Sequence, residues 1–282
     1  MMPMPTPVIH DFGGRGPALH LALANGFPPE TYRPILAPLL ESHQALSVLP
    51  RALWHNGVTP DSARSWRVMA EDTLAGLRAR NLSNVIAAGH SMGGVASMMA
   101  VLAEPGRFRA LILLDPTMLL PGTLRLIAML RLIGLSERFP LVQGARRRRR
   151  TFASVEAAYT YFRNKRLFAD WPDETIRLYA EGITRPAAGG GVALAWTPEW
   201  EAQYYRTIFA GSWRLVPRLR GLLPILVIRG ETTDTFVAPA AERLRRLLPE
   251  ADQAVIPGHG HLFPQSAPAE TAQIISAWLA KL

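Results

Sequence analysis

The chain has 282 residues, 49% of them hydrophobic and 19% charged, which supplies a sizeable core and excludes a disordered chain. It has no cysteine, so disulfides, thiolate chemistry and Cys-ligated metal are excluded. The formal net charge is +9, yet most of the excess sits in residues 117–217, where 15 Lys and Arg face 8 Asp and Glu. Five of those cations form the run Arg146, Arg147, Arg148, Arg149 and Arg150, read as a solvated face in an Arg-rich chain. With no recognisable motif and no stripe of stacking aromatics, no nucleic-acid partner is expected. The start, MMPMPTPVIHDFGG, lacks a basic segment followed by an apolar one and does not read as a signal peptide. No apolar run reaches the ~18 residues of a membrane span; the nearest, 111–135, is broken by Asp115, Pro116, Pro121, Arg125 and Arg131. A cytoplasmic location is the expectation.

In chain order, VIHDF and ALHLALA read as strands, residues 31–41 as a helix and ALSVLP as a strand. Residues 63–80 carry Trp66, Met69, Ala70, Leu74 and Leu77 at helical spacing. NVIAAG is a buried strand, 93–103 a helix and RALILLD a buried strand again. Unbroken apolar runs alternating with helices are what a parallel sheet covered on both faces requires. The alternation stops at Asp115 and resumes with the strand LLPILVIRG, a helix at 239–248, the strand QAVIPG and a last helix at 269–282. The expected fold is therefore α/β, a mostly parallel sheet with helices on both faces. Residues 1–116 and 218–282 form the core, and 117–217 an inserted helical cap. The cap holds 14 of the 23 Phe, Trp and Tyr residues, and it is expected to lie over the carboxyl ends of the strands.

Gly89-His90-Ser91-Met92-Gly93 is a G-x-S-x-G match lying between a strand and a helix, the context that motif needs. The turn would expose the Ser91 hydroxyl at a helix N-terminus, and small neighbours would let strand and helix approach. A serine hydroxyl is a poor nucleophile until a base takes its proton, and the base needs an acid to fix its tautomer. His261, in the loop PGHGHLFP after the last strand, is the preferred base. His259 is read as a loop residue that hydrogen-bonds backbone. Two acids compete: Asp234, in the loop GETTDTF, and Asp115, at the end of LILLD. Asp234 is preferred, with Asp115 read as a strand-end carboxylate capping the next turn. Oxyanion donors are expected in the backbone amides of Met92 and of Phe27, the latter in the loop Asn25-Gly26-Phe27-Pro28.

Together ANGFP, GHSMGG, LILLDP, LVIRGETTD and PGHGHLFP resemble the α/β-hydrolase superfamily over essentially the whole chain. The resemblance implies Ser91 as nucleophile, Asp234 as acid, His261 as base and Phe27 with Met92 as the oxyanion hole. It departs from the family's usual pattern at Asn25, where His commonly precedes Gly, and at LPRALWHNG, which lacks the common Asp-x-x-Gly-x-Gly-x-Ser. Relatives with an Asp nucleophile, the haloalkane dehalogenases and epoxide hydrolases, are set apart by Ser91.

The expected activity is cleavage of carboxylic esters with small to medium apolar acyl or aryl groups through an acyl-enzyme. The same residues would serve acyl transfer or lactone, thioester or C–C bond hydrolysis, and a non-catalytic ligand-binding relative is the reading from another class. No cofactor and no metal are expected, since only His259-x-His261 approaches ligand spacing. The expected partner is a small apolar ester. Residues 119–135, apolar and carrying Arg125 and Arg131, also suit transient contact with a membrane surface. The sequence does not give the oligomeric state.

Overall fold

The computed structural model describes residues 6–54 and 57–282. The first five residues of the N-terminal stretch, and His55 and Asn56 of LPRALWHNG, lie outside them. Seven strands form the main sheet: β1 (Ile9–Gly13), β2 (Ala18–Ala22), β3 (Gln44–Val48), β4 (Val85–His90), β5 (Phe108–Leu114), β9 (Ile225–Gly230) and β10 (Asp252–Ile256). Their order is β1-β3-β2-β4-β5-β9-β10, with β1 antiparallel to β3 and the other pairs parallel. The mostly parallel α/β sheet expected from the apolar runs is present.

Strand pleating divides the core in two. In β5, Ala110, Ile112 and Leu114 point to one face while Leu111 and Leu113 point to the other, and Ile86 and Ala88 alternate with Val85 and Ala87 in β4. One face is covered by α2 (Arg67–Ala79), α3 (Met92–Ala103) and α9 (Ala238–Leu247), which contribute Leu74, Val95 and Leu244. The other is covered by α1 (Arg33–Leu36), α10 (Phe263–Ser266) and α11 (Pro268–Leu279), which contribute Ile35, Phe263 and Ile275. The helix expected over 31–41 is broken into 3-10 turns at Pro29–Tyr32 and Ala37–Leu39 with α1 between them. Pro34 and Pro38, each lacking an N–H and crowding the preceding turn, interrupt it.

Between β5 and β9 lie α4 (Pro121–Leu132), α5 (Pro140–Arg146), α6 (Val155–Arg163), α7 (Asp173–Ile183) and α8 (Pro198–Arg206). This segment was expected to be helical, but it also holds a small antiparallel sheet, β6 (Thr151–Phe152), β7 (Thr184–Pro186) and β8 (Val192–Leu194), in the order β6-β8-β7. The Gly-rich stretch 189–191 is the turn that joins β7 to β8, with Gly190 and Gly191 at positive φ. Phe162, Phe168, Trp171 and Tyr179 pack ring on ring, with Phe162 and Phe168 each 4.9 Å from Tyr179. They form the interior of this segment.

His20, in the middle of β2, is buried, and its Nε2 accepts the Val48 amide at 3.1 Å. Accepting there requires the neutral ring, and burial holds its pKa down at about 4. The unfolded chain therefore takes up this proton first as the pH falls. The neutral-ring contribution is intact above pH ~6.5 and is lost progressively toward pH 4, to a total of about 3 kcal/mol. Urea unfolding is expected to show the gap between wild type and His20→Gln changing across that window. A gap that stays constant from pH 7 to pH 4 would exclude His20 as the cause.

Candidate functional site

Ser91 sits between β4 and α3 at φ +56° and ψ −118°, a conformation that non-glycine residues seldom adopt. The turn is held from both sides: its amide donates to Leu114 O at 3.0 Å and its carbonyl accepts Thr117 N at 3.1 Å. This geometry turns the hydroxyl out of the sheet. Ser91 Oγ lies 2.9 Å from His261 Nε2, and His261 Nδ1 lies 2.6 Å from Asp115 Oδ2. A carboxylate at Nδ1 fixes the ring proton there, which leaves Nε2 to accept the Ser91 proton. With that proton committed, the Thr117 hydroxyl, 3.2 Å away, donates to Ser91 Oγ. The G-x-S-x-G turn and the second histidine of PGHGH thus come together as their sequence positions suggested.

The acid expected at Asp234 requires correction: the carboxylate that holds His261 belongs to Asp115. Asp115 is fully buried at the end of β5, at φ +40°, with its amide donating to Ile228 O at 2.8 Å. Its Oδ2 also accepts the Thr233 hydroxyl at 2.6 Å, and Oδ1 accepts the Gly230 amide at 3.1 Å. Three donors satisfy this buried carboxylate and fix its orientation. Asp234 is exposed, accepts the hydroxyl of Thr235 at 3.2 Å, and lines the cavity without a bond to the imidazole among the described residues. In the loop after β9 it is Thr233 that turns inward, one residue before the carboxylate chosen from sequence. His259 bonds Ser266 Oγ at 2.8 Å, a side chain rather than the backbone partner expected, and away from Ser91.

The amides of Phe27 and Met92 belong to residues that line the same cavity as Ser91. Met92 is the first residue of α3, where helical N–H groups have no partner within the helix. The Phe27 amide makes a long 3.3 Å bond to Ala24 O, in a turn that Gly26 closes at φ +83°. Asn25, which stands where His is common, donates through Nδ2 to Glu201 O of α8 at 3.0 Å and so ties this loop to the segment between β5 and β9.

Sequence reasoning missed a buried chain beneath the site. His90 Nε2 lies 3.0 Å from the His261 carbonyl, which can only accept, so His90 carries its proton on Nε2. Its Nδ1 then accepts the Tyr32 hydroxyl at 2.8 Å, and Tyr32 Oη accepts the Ala24 amide at 3.2 Å. Burial and then the neighbouring His261 hold His90 well below the usual histidine range, consistent with a permanently neutral link. One chain of bonds thus joins the Ala24 loop, the Ser91 turn and the His261 loop. The only sequence signal was a histidine inside the G-x-S-x-G match.

The arginine run is not the uniformly solvated face that its charge suggested. Arg148 is paired with the Glu201 carboxylate, and its Nη2 donates to Tyr179 Oη at 2.8 Å; Tyr179 in turn donates to Gly26 O at 3.3 Å. Arg146 pairs with Glu137 at 2.8 Å, and Arg150 with Glu199. Over Ser91 lies a cavity of about 740 Å³, walled by Phe27, Trp66, Leu119, Leu141, Tyr161, Phe168 and Tyr179, with Arg148, Lys165, Glu201 and Asp234 as charged lining. Among the described residues no group of His, Asp and Glu could hold a metal ion, and no helix is long and apolar enough to cross a membrane.

Comparison with known proteins agrees with this fold. The chain is 27% identical over 210 residues to the 2-(acetamidomethylene)succinate hydrolase of Mesorhizobium japonicum, covering 74% of this chain and 69% of that one. Among solved structures, an E-2-(acetamidomethylene)succinate hydrolase superposes with a TM-score of 0.76 at 21% identity, over 96% of this chain and 94% of the other. The thioesterase domain from the curacin biosynthetic pathway gives 0.74 at 15% identity, over 95% and 94%. A marine microorganism esterase gives 0.67 at 18%, over 96% and 98%. The sequence model of the Alpha/beta hydrolase family matches residues 19–274, nearly the whole chain. The chain belongs to the α/β-hydrolase family of enzymes.

Proposed function

We propose that this chain is a serine hydrolase that cleaves carboxylic esters of small to medium apolar acyl or aryl groups. The observation that carries the reading is the bonded series Ser91–His261–Asp115, at 2.9 and 2.6 Å, at the floor of an aromatic-walled cavity. Ser91 Oγ attacks the ester carbonyl as His261 Nε2 takes its proton, and Asp115 stabilises the resulting imidazolium. The amides of Met92 and Phe27 receive the oxyanion, the weakly held Phe27 bond to Ala24 O being the one to share. His261 then protonates the leaving alcohol, and water, deprotonated by the same imidazole, releases the acid from Ser91. Residues 117–217 act as a cap whose rings contact the acyl or aryl group. No step calls for a metal or cofactor.

Turnover of p-nitrophenyl esters of graded acyl length tests this. Wild type should hydrolyse them with an optimum that sizes the cavity, and Ser91→Ala should lose roughly three orders of magnitude or more in kcat. A folded wild type with no hydrolysis at any length would move the assignment to a non-ester bond or to ligand binding.

A second reading is favoured by Lys165 and Arg166 in the cavity lining, and by the relative that acts on a substituted succinate. In it the substrate carries a carboxylate. Half-esters of dicarboxylic acids hydrolysed with lower KM than neutral esters of equal length would support it.

A further inference from the structure

Helix α4 presents two unlike faces. Leu124 is buried, and Ile127 and Leu130 pack inward, the latter two against Phe139 and Val142 of the neighbouring α5 region. The opposite face carries Leu126, Met129, Leu132 and Ile133, which are 50%, 53%, 86% and 60% exposed. Leu141 of α5 and Leu120 continue the patch, at 54% and 39%. Among the described residues, six of the eleven exposed large hydrophobic side chains therefore fall within residues 120–141, a concentration that single scattered surface leucines do not produce.

The surroundings of this patch are cationic. Residues 117–150 hold eight arginines and one acid, Glu137, and Glu137 is already paired with Arg146 and Arg206. On the inward side of α4, where Arg131 lies one turn from Ile127, a cleft of about 330 Å³ is lined by Arg67, Arg131, Arg214 and Arg218 together with Phe209. None of these four, nor Arg125 or Arg138, has a carboxylate within 4.0 Å among the described residues. Arg131 donates to the Ile208 carbonyl at 3.0 Å, and Arg67 lies over the Phe209 ring. A guanidinium without a carboxylate offers its paired N–H groups to phosphate.

From this apolar helix face, which carries Arg125 and is followed by Arg138, neither held by a carboxylate, we infer that α4 docks the protein on the surface of an anionic lipid bilayer. Leu126, Met129, Leu132 and Ile133 enter the acyl boundary while the arginines contact headgroup phosphates. A second copy of the chain fits less well, because a two-fold contact through this face would set arginine against arginine with only Glu137 to answer them. A nucleic acid would leave four large apolar side chains against phosphates. Leu119 and Leu141 border the patch and also line the Ser91 cavity, so docking would set that cavity near the membrane surface.

The test is co-sedimentation of the full chain with vesicles, with melting temperature rather than turnover as the check on folding. It thus stands whatever bond Ser91 cleaves. Binding is expected to vesicles of phosphatidylcholine mixed with phosphatidylglycerol, and roughly tenfold weaker to phosphatidylcholine alone. High salt should weaken the binding without abolishing it, because the apolar term is not screened. Met129→Glu with Leu132→Glu should abolish it, and Arg125→Glu with Arg138→Glu should reduce it about tenfold. All four positions are exposed, so melting should hardly move. No binding to the anionic vesicles at low salt would overturn the inference. A concentration-dependent dimer dissolved by the Met129 and Leu132 changes, and not displaced by vesicles, would also overturn it and assign the face to self-association.

Discussion

Asp115→Asn is expected to lower kcat by roughly three to four orders of magnitude, while Asp234→Asn leaves it within a few-fold. The reason is the tautomer of His261. Asp115 Oδ1 accepts the Gly230 amide, so in the variant the amide oxygen stays at that position and the NH2 falls where Oδ2 was. There it faces His261 Nδ1 and the Thr233 hydroxyl. Two donors cannot face each other, so the imidazole gives up its Nδ1 proton and carries it on Nε2. It can then no longer accept from Ser91, which lies 2.9 Å away. Among the described residues Asp234 makes no hydrogen bond or ion pair with the ring, so its loss removes a charge at the cavity wall. Steady-state kinetics on the ester most rapidly cleaved would decide it. Equal losses in the two variants, or a larger loss at Asp234, would reassign the acid.

That the carboxylate bonded to His261 is Asp115 rather than the Asp234 preferred from sequence has a physical cause. Strands β5 and β9 are neighbours, paired from Leu111 with Ile225 to Leu114 with Ile228, so the residues just beyond both strands end at the same edge of the sheet. A carboxylate after either strand lies within reach of a histidine after β10. What separates them is one residue of alternation and one unusual backbone angle. In GETTDTF the inward place falls to Thr233, and at the end of β5 the positive φ of Asp115 swings its side chain under the imidazole. Neither is visible in composition or spacing. By contrast, the strands were legible because burial on both faces demands unbroken apolar runs, and the Ser91 turn because its glycines are sterically required. Arg148 was misjudged for a related reason. A run of like charges looks solvated, yet the partner that draws it inward, Glu201, stands on a helix 53 residues further along.

Gly93→Ala is expected to destabilise the fold by about 3 kcal/mol or more, far beyond an ordinary surface change. A Cβ built on Gly93 would stand 2.2 Å from Ala22 O and 2.5 Å from Ala22 C, both backbone atoms that cannot rotate away. Gly89 meets the same constraint from the other side, 2.4 Å from Gly93 O. Relief would require α3 to back away from β2, and β2 runs directly into the Ala24–Phe27 loop, so the distance between the Phe27 amide and Ser91 would change with it. Turnover should therefore fall along with the urea midpoint. Gly122→Ala is the control: it too is helical, near the start of α4, but its added methyl meets nothing within 4 Å. Intrinsic helix propensity favours alanine over glycine by about 1 kcal/mol, so propensity alone predicts that both variants gain stability. A midpoint that rises at 122 and falls steeply at 93 assigns the second glycine to the strand–helix contact. A rise at both would mean that α3 is free to move, and that the close approach beneath Ser91 is not what fixes the turn.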